Sequence, residues 1–354
     1  MVTERAKLTF CESINKHEDG SLGDKIGIDT QNSGGNSYRR KMWQNMEPTW
    51  GETTGFRQRS FWTKKGFMMN NPRQRHQDGI EPRKYDRDSH FHFSCHKGKE
   101  CYTHCCSDLN LILTPYDIIR MKNRLELTCD QFLAIYTNPQ MLARTQLPVV
   151  TLKMLDDEKK SCPFLTPQGC TIYEDRPVTC RYYPLGMASF REQEIQPTGE
   201  DFYFMVREHH CLGFEADREW TVREWRKDQG AEPYDEINKG WMEFMMRKKS
   251  FAFQAEMSEE SRSMFFMVSY NVDRLRRFIF ESSLLDKYEV DDHVLEKIEV
   301  DEVALLKFGL DWLQSALFGA DKIKLKDKVR EAYKEKAEKE AKEAARTAQG
   351  AQQR

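Results

Sequence analysis

The sequence predicts an α+β fold: a small Cys-rich metal-stapled domain with short strands and helices, followed by a mainly α-helical C-terminal region. Nine of the ten cysteines lie between positions 95 and 211, and all of these except Cys129 fall in clusters next to two apolar runs rich in β-propensity residues. After position 213, apolar residues recur at helical spacing. The predicted segments are a disordered leader over 1–84, a cysteine-cluster metal-binding domain over 85–213, a helical region over 214–320, and a charged solvated helix or disordered tail over 321–354.

The leader is predicted to lack a stable fold because Gly, Ser, Asn, Gln and charged residues dominate it. Between Arg39 and Arg87, basic residues alternate with aromatic ones, a composition that also occurs in proteins that bind single-stranded nucleic acid. We favour a disordered leader, or upstream sequence before a later start at Met68 or Met69, over that interpretation.

Two capping motifs predict the first helices of the cysteine-rich domain. Thr114-Pro-Tyr-Asp117 supplies an N-cap, a proline at the first helical position and an acid three residues after the cap. Thr128 and Gln131 repeat the capping pattern, and Pro139 predicts the end of the second helix.

The later elements follow from hydrophobic patterning. Apolar residues predict strands over 147–155 and 201–207 and helices over 220–227, 235–248 and 258–285. The last helix is predicted by a stripe that ends at Gly319 and consists of Leu306, Leu310, Leu313 and Leu317.

Methionines are frequent on these predicted helices, at positions 242, 245, 246, 264 and 267. Such residues occur in adaptable partner grooves, but ordinary core packing is the favoured interpretation. We expect any unknown protein partner to bind through the helical C-terminal region.

Charge and hydropathy limit the other partners. The chain carries a net charge of −2, and the probable folded body, 91–320, is near −10, which disfavours a nucleic-acid partner. No stretch approaches the roughly 18 apolar residues of a membrane span, and the first residues lack the apolar core of a signal peptide. We therefore expect a cytoplasmic protein that does not enter a membrane.

Clustered cysteines in such a chain indicate metal ligands before disulfides, because the cytosol keeps thiols reduced. The predicted metal ligands are Cys95, Cys101, Cys105, Cys106, Cys162, Cys170, Cys180 and Cys211. Cys129 is predicted to be a buried apolar residue, and Cys11 to be free. His96, His104, His209 and His210 lie beside the ligands, and we expect most of them to support the site rather than to bind metal.

Two arginines, Arg176 and Arg181, lie next to predicted ligands in the sequence. Four thiolates around one metal centre leave a net charge of about −2. We predict that these arginines compensate that charge, with hydrogen bonding to backbone carbonyls as the alternative. Gly169 is predicted to let the backbone turn tightly before Cys170.

The spacing of the cysteines bears on the metal. Structural zinc sites usually bring ligands in pairs about two to four residues apart. Cys105 and Cys106 are adjacent, and adjacent cysteines serve two metals, or two irons of one cluster, more easily than one ion. This slightly favours an iron–sulfur cluster over zinc, and eight thiols also allow two four-cysteine sites.

The cysteine block resembles the YkgJ-type cysteine-cluster proteins, the CxxCxxCC zinc- or iron-chelating domain, over about 91–213. The motifs that carry the resemblance are Cys162-Pro-Phe-Leu, then Gly169-Cys170-x-Ile172-Tyr173-x-x-Arg176-Pro177-x-x-Cys180-Arg181-x-Tyr183-Pro184, with Cys105-Cys106 upstream and Cys211-x-Gly213 downstream. The first cluster, which contains Cys95 and Cys101, has wider gaps than the family pattern. The resemblance implies a metal-binding domain and no settled reaction.

Three classes of function stay open. The first is a metal-binding protein with a redox, metal-handling or regulatory role. The second is a cluster-dependent protein-modifying enzyme, because flagellin lysine-N-methylase carries a related cysteine cluster. The third is a zinc-stapled protein-interaction module. The sequence identifies no catalytic residue.

Overall fold

The computed structural model describes residues 79–81, 83–143, 145–189, 201–250, 257–336 and 338–339. Most of the predicted leader lies outside these residues, as do Cys11, Met68, Met69 and the end of the predicted tail. The α+β prediction is confirmed: short strand pairs accompany the cysteines, and helices make up the C-terminal region.

The helices follow the predicted order along the chain. They are α1 (Pro115–Arg124), α2 (Cys129–Tyr136), α3 (Val178–Tyr182), α4 (Val222–Asp228), α5 (Glu232–Ser250), α6 (Glu259–Tyr270), α7 (Val272–Glu281), α8 (Leu284–Lys287), α9 (Asp292–Val300) and α10 (Glu302–Phe318). Three short 3-10 turns, His104–Cys106, Tyr173–Asp175 and Leu212–Glu215, lie in the cysteine-rich part.

The strands form antiparallel pairs. They are β1 (His90–His92), β2 (Thr137–Met141), β3 (Pro148–Leu152), β4 (Leu165–Thr166), β5 (Gly169–Cys170), β6 (Leu185–Ser189), β7 (Asp201–Met205) and β8 (Glu219–Thr221). The pairs are β1–β8, β2–β3, β4–β5 and β6–β7. The β1–β8 pair brings together the two ends of the segment that contains the clustered cysteines, with Phe91 opposite Trp220.

Both predicted capping boxes are present. The Thr114 side chain accepts a hydrogen bond from the backbone N–H of Asp117, and the Thr128 side chain accepts one from the backbone N–H of Gln131. In each box, the side chain of the second residue accepts the backbone N–H of the threonine. Gly319 ends α10 in the left-handed conformation, with a φ of 61°. These local signals could be read from sequence because each requires only neighbouring residues.

Two of the observed helical segments differ from the ranges predicted from the sequence. The segment over 220–227 starts as β8, because Glu219–Thr221 pairs with β1, and Thr221 then caps α4. The segment over 258–285 forms three helices, because Asn271 leaves helical geometry at a φ of −135° and caps α7 with its side chain. Asparagine competes with helical backbone bonding in this way, so it favours a break.

The main core consists of buried residues between Leu111 and Ile172 together with buried residues between Tyr234 and Ala316. It therefore joins the predicted metal-binding domain to the predicted helical region. Met264 is buried in this core and Met242, Met245 and Met267 pack against it, as expected for core methionines.

A second core lies under β1, β8 and the β6–β7 hairpin. Its buried members are Tyr85, Phe91, Phe93, Tyr182, Leu185, Tyr203, Met205, Trp220, Val222, Trp225 and Ala231. The indole of Trp220 donates to the Phe93 carbonyl at 2.9 Å, which fixes the strand that leads into Cys95. No helix among the described residues has both the length and the apolar character needed to cross a bilayer.

Candidate metal centre

The fold places the predicted ligands on short loops and turns. Cys95 follows β1, and Cys105 and Cys106 lie in a 3-10 turn. Cys170 ends β5 and Cys180 lies in α3. All nine cysteines within the described residues have free thiols.

One group of thiols, which we name the outer cluster, consists of Cys95, Cys101, Cys105 and Cys211. These four cysteines line a cavity of about 10 Å³, which is room for roughly one water-sized sphere. The remaining lining residues are Ser94, Lys99, Tyr183, His210 and Gly213. The outer cluster thus gathers four soft donors around one small cavity.

A second group, the inner cluster, consists of Cys106, Cys162, Cys170 and Cys180. After burial as the main cause, the thiols of Cys162, Cys105 and Cys170 all raise the pKa of Cys180, so Cys180 lies close enough to interact with each of them. Cys106 is the neighbour of this group along the backbone: its carbonyl accepts the N–H of Cys162 at 2.9 Å, and its thiol hydrogen-bonds to Cys105. The two clusters meet at the adjacent Cys105 and Cys106.

Backbone amides in the turns point at several of the sulfurs. The Leu212 N–H donates to the Cys101 sulfur at 3.3 Å. Burial raises the pKa of Cys162 to about 11, and the backbone N–H of Phe164 opposes this rise. Such N–H to sulfur bonds stabilise a thiolate once it binds metal.

Desolvation raises the pKa of three further thiols. The pKa of Cys95 rises to about 11, although the residue is exposed at the surface, and the pKa values of Cys170 and Cys211 rise above the ordinary value. The pKa of Cys105 is raised mainly by its hydrogen bond to Cys106. Metal binding therefore has to displace protons from these thiols.

The donor set fits zinc or iron, since thiolates are soft ligands that select these metals and iron–sulfur clusters. Within the described part of the chain, however, no three Cys, His, Asp or Glu side chains are arranged so that they could hold an ion as they stand. The thiols of each cluster consequently have to move together when metal binds.

Arg176 and Arg181 are buried behind the inner cluster. Arg176 donates to the Tyr173 carbonyl and to Gln229, and its positive charge lowers the pKa of Cys170 against the larger effect of burial. A charge-compensating role for Arg176 stays a prediction, which this interaction supports.

Arg181 makes a different set of contacts. It donates to the carbonyls of Arg176, Glu174 and Gln229 and stacks on the Tyr234 ring at 4.4 Å. These bonds agree with the alternative role, hydrogen bonding to backbone carbonyls. A charge-compensating role for Arg181 at the metal stays a prediction.

Sequence reasoning placed His210 beside the ligands but missed the polar group that it forms with Tyr183 and Glu208 next to the outer cluster. The Tyr183 hydroxyl donates to Glu208 Oε2 at 3.0 Å and lies within hydrogen-bonding reach of Cys211. His210 Nε2 lies 3.5 Å from the same Glu208 oxygen. Tyr183 precedes β6 and Glu208 follows β7, so the pairing of these strands brings them together.

The remaining candidates have other partners. His96 Nδ1 accepts the Gly98 N–H at 3.1 Å, and the rings of His104 and His210 lie 6.0 Å apart. Cys129 is fully buried in the main core, as predicted.

Comparison with protein families assigns the cysteine-rich part. Residues 94–212 match the model of the CxxCxxCC zinc- or iron-chelating domain. This CxxCxxCC domain covers about a third of the chain and includes all eight predicted ligands, so the resemblance is confirmed. No curated protein and no solved structure matches the chain.

Proposed function

We propose that this protein binds zinc or iron through eight cysteine thiolates in two adjoining four-cysteine sites, and that it has a redox, metal-handling or regulatory role in the cytoplasm. The observation that carries this proposal is the gathering of eight reduced cysteines, separated by up to 116 positions in the sequence, into the outer and inner clusters.

The division into two sites follows from ligand number and position. A tetrahedral zinc or iron centre takes four thiolates, so eight thiols can supply two such centres. Cys105 lines the outer cavity with three other cysteines, whereas its neighbour Cys106 bonds to the backbone of Cys162 in the inner cluster. Cys105 would thus serve the outer site and Cys106 the inner site.

One observation bears on the choice of metal. The adjacent Cys105 and Cys106 slightly favour an iron–sulfur cluster, since adjacent thiols serve two irons of one cluster more easily than one ion. A brown anaerobic preparation with acid-labile sulfide would identify an iron–sulfur cluster, and a colourless preparation with zinc would identify the single-ion form.

A cluster-dependent protein-modifying enzyme of the lysine-methylase type is the second candidate. The observation that favours it is the group formed by Tyr183, Glu208 and His210, since hydroxyl, carboxylate and imidazole groups next to a metal site can transfer protons.

A zinc-stapled interaction module that binds a protein through the helical region is a further proposal, supported by Val300, which is 79% exposed.

Metal analysis of substituted proteins tests the main proposal. Cys170→Ser and Cys180→Ser should each lower the metal bound per chain in the full-length protein purified without oxygen. Cys129→Ala is the matched control, because Cys129 is also a free cysteine of this segment but belongs to the main core. Full metal content in both serine variants, or a wild-type protein without metal, would overturn the proposal.

A further inference from the structure

The two thiol clusters lie against different parts of the protein. Cys162, Cys170 and Cys180 of the inner cluster pack against the main core. In the outer cluster, Cys211 packs against the smaller second core and Cys95 is exposed. Ligands that are part of a large core move little without disturbing it, whereas ligands on an exposed loop can separate from a metal one at a time.

The outer cluster also has the polar group of Tyr183, Glu208 and His210 at its wall. The Tyr183 hydroxyl has one proton and two acceptors within reach, Glu208 Oε2 at 3.0 Å and the sulfur of Cys211. Glu208 lies close enough to Cys105 for its negative charge to disfavour the thiolate there. The tyrosine proton therefore lies between the Glu208 carboxylate and the Cys211 sulfur.

We propose that the outer cluster holds an exchangeable metal and the inner cluster a structural one, with Tyr183 and Glu208 as positioning residues that set how fast the outer metal leaves. This inference rests on the proposed metal-binding function. An incoming chelator or acceptor thiol must reach the metal to take it, and the exposed Cys95 provides that access. Three of the four inner ligands, in contrast, pack against the main core.

The two positioning residues act in opposite directions. A hydroxyl proton directed at the thiolate offsets its negative charge, so Tyr183→Phe should speed the loss of the outer metal by about 10- to 100-fold, the usual effect of removing a hydrogen bond next to a ligand. Glu208→Gln removes a negative charge near the thiolates and keeps an oxygen that accepts from Tyr183, so it should slow the same loss.

Tyr182 provides the matched control. Its hydroxyl also donates to a carboxylate, Asp235 Oδ2 at 2.6 Å, and lies beside Arg226 instead of a cysteine. Tyr182→Phe removes a comparable buried hydrogen bond next to the same hairpin. A general loosening of the fold would act in both tyrosine variants, whereas a specific effect on the outer metal would appear only in Tyr183→Phe.

The experiment follows the release of Zn²⁺ from the reconstituted full-length protein to a colorimetric chelator. We expect two phases, with the fast one accelerated in Tyr183→Phe, slowed in Glu208→Gln, unchanged in Tyr182→Phe and absent in Cys101→Ser. Release of both ions in a single phase would overturn the inference. So would equal rates of the fast phase in Tyr183→Phe, Glu208→Gln and Tyr182→Phe. Failure to bind Zn²⁺ or iron at all would instead refute the proposed function, so the two failures are distinguishable.

Discussion

The carboxylate of Asp117 joins two helices that lie far apart in the sequence. It accepts the backbone N–H of Thr114 and that of Val178, both at 2.8 Å, and so caps α1 and also holds the start of α3, which contains Cys180. The cap on α1 could be predicted from sequence, because it involves residues three apart. The bond to Val178 could not, because it depends on how α1 and α3 pack.

Asp117 should make the stability of the protein depend on pH. Burial raises its pKa to about 6 from 3.8, so the folded state binds this proton more tightly than the unfolded state. Its contribution is greatest below about pH 4 and is lost as the pH rises to about 6, a change of up to about 3 kcal/mol. Urea unfolding across this range should show that wild type loses stability relative to Asp117→Asn as the pH rises, because asparagine does not titrate. A constant difference would contradict this account.

Arg176 and Arg181 should behave differently when removed. The charge of Arg176 acts on Cys170, whereas Arg181 bonds to backbone carbonyls and stacks on Tyr234. We expect Arg176→Ala to speed metal loss to a chelator and to lower the melting temperature less than Arg181→Ala does, because Arg176 donates to only one carbonyl and one side chain. Arg181→Ala should lower the melting temperature, because three carbonyls lose a buried donor. Equal effects of the two variants on both measurements would refute this distinction.

At the level of the element, the β4–β5 hairpin presents Cys170 through a glycine. Gly169 has a φ of 112°, and a Cβ at this position would lie 2.5 Å from the Tyr102 hydroxyl. The sequence predicts a tight turn here from the glycine itself. It does not predict the contact with Tyr102, which comes from a loop more than sixty positions away.

Gly169→Ala should therefore disturb the inner cluster. Backbone strain together with the close contact should cost about 1–3 kcal/mol and lower the metal bound per chain. Gly240→Ala is the control. Gly240 lies within α5, where alanine favours the helix, and a Cβ at this position would lie 3.6 Å from Leu310, an ordinary contact distance. Thermal unfolding and metal analysis compare the two, and an unchanged Gly169→Ala protein would show that the turn tolerates a side chain.

The β6–β7 hairpin shows why part of the candidate site could not be predicted. The pattern over 201–207 predicts β7, but β6 carries no comparable signal in the sequence. Only the observed register, with Leu185 opposite Met205, brings Tyr183 next to Glu208. The eight cysteines, in contrast, were identifiable because their residue type carries the chemistry wherever the chain places them.

At the level of the whole molecule, the main core extends across the predicted boundary at position 213. Buried residues of α1, α2 and β3 pack with buried residues of α5, α6 and α10. Capping motifs and hydrophobic patterning predicted both sets of elements, yet such signals do not show which faces pack together. The shared core means that the cysteine-rich part relies on the helical region for much of its burial.

A chain truncated after residue 213 should consequently fail to fold, even with metal present. A chain of residues 79–339 keeps both cores and should bind as much metal as the full-length protein. Circular dichroism and metal analysis of the two truncated chains test this expectation. Stable folding and full metal content of residues 79–213 would show that the cysteine-rich part is an independent domain.

Protection of thiols by metal tests the central claim most directly. The full-length native protein is treated with an alkylating reagent before and after removal of metal by a chelator, and mass spectrometry identifies the modified cysteines. We predict that the eight cysteines of the outer and inner clusters are protected in the native protein and react after chelation without any reductant. Modification of these cysteines to the same extent before and after chelation, or a requirement for a reductant, would contradict the claim that metal holds them.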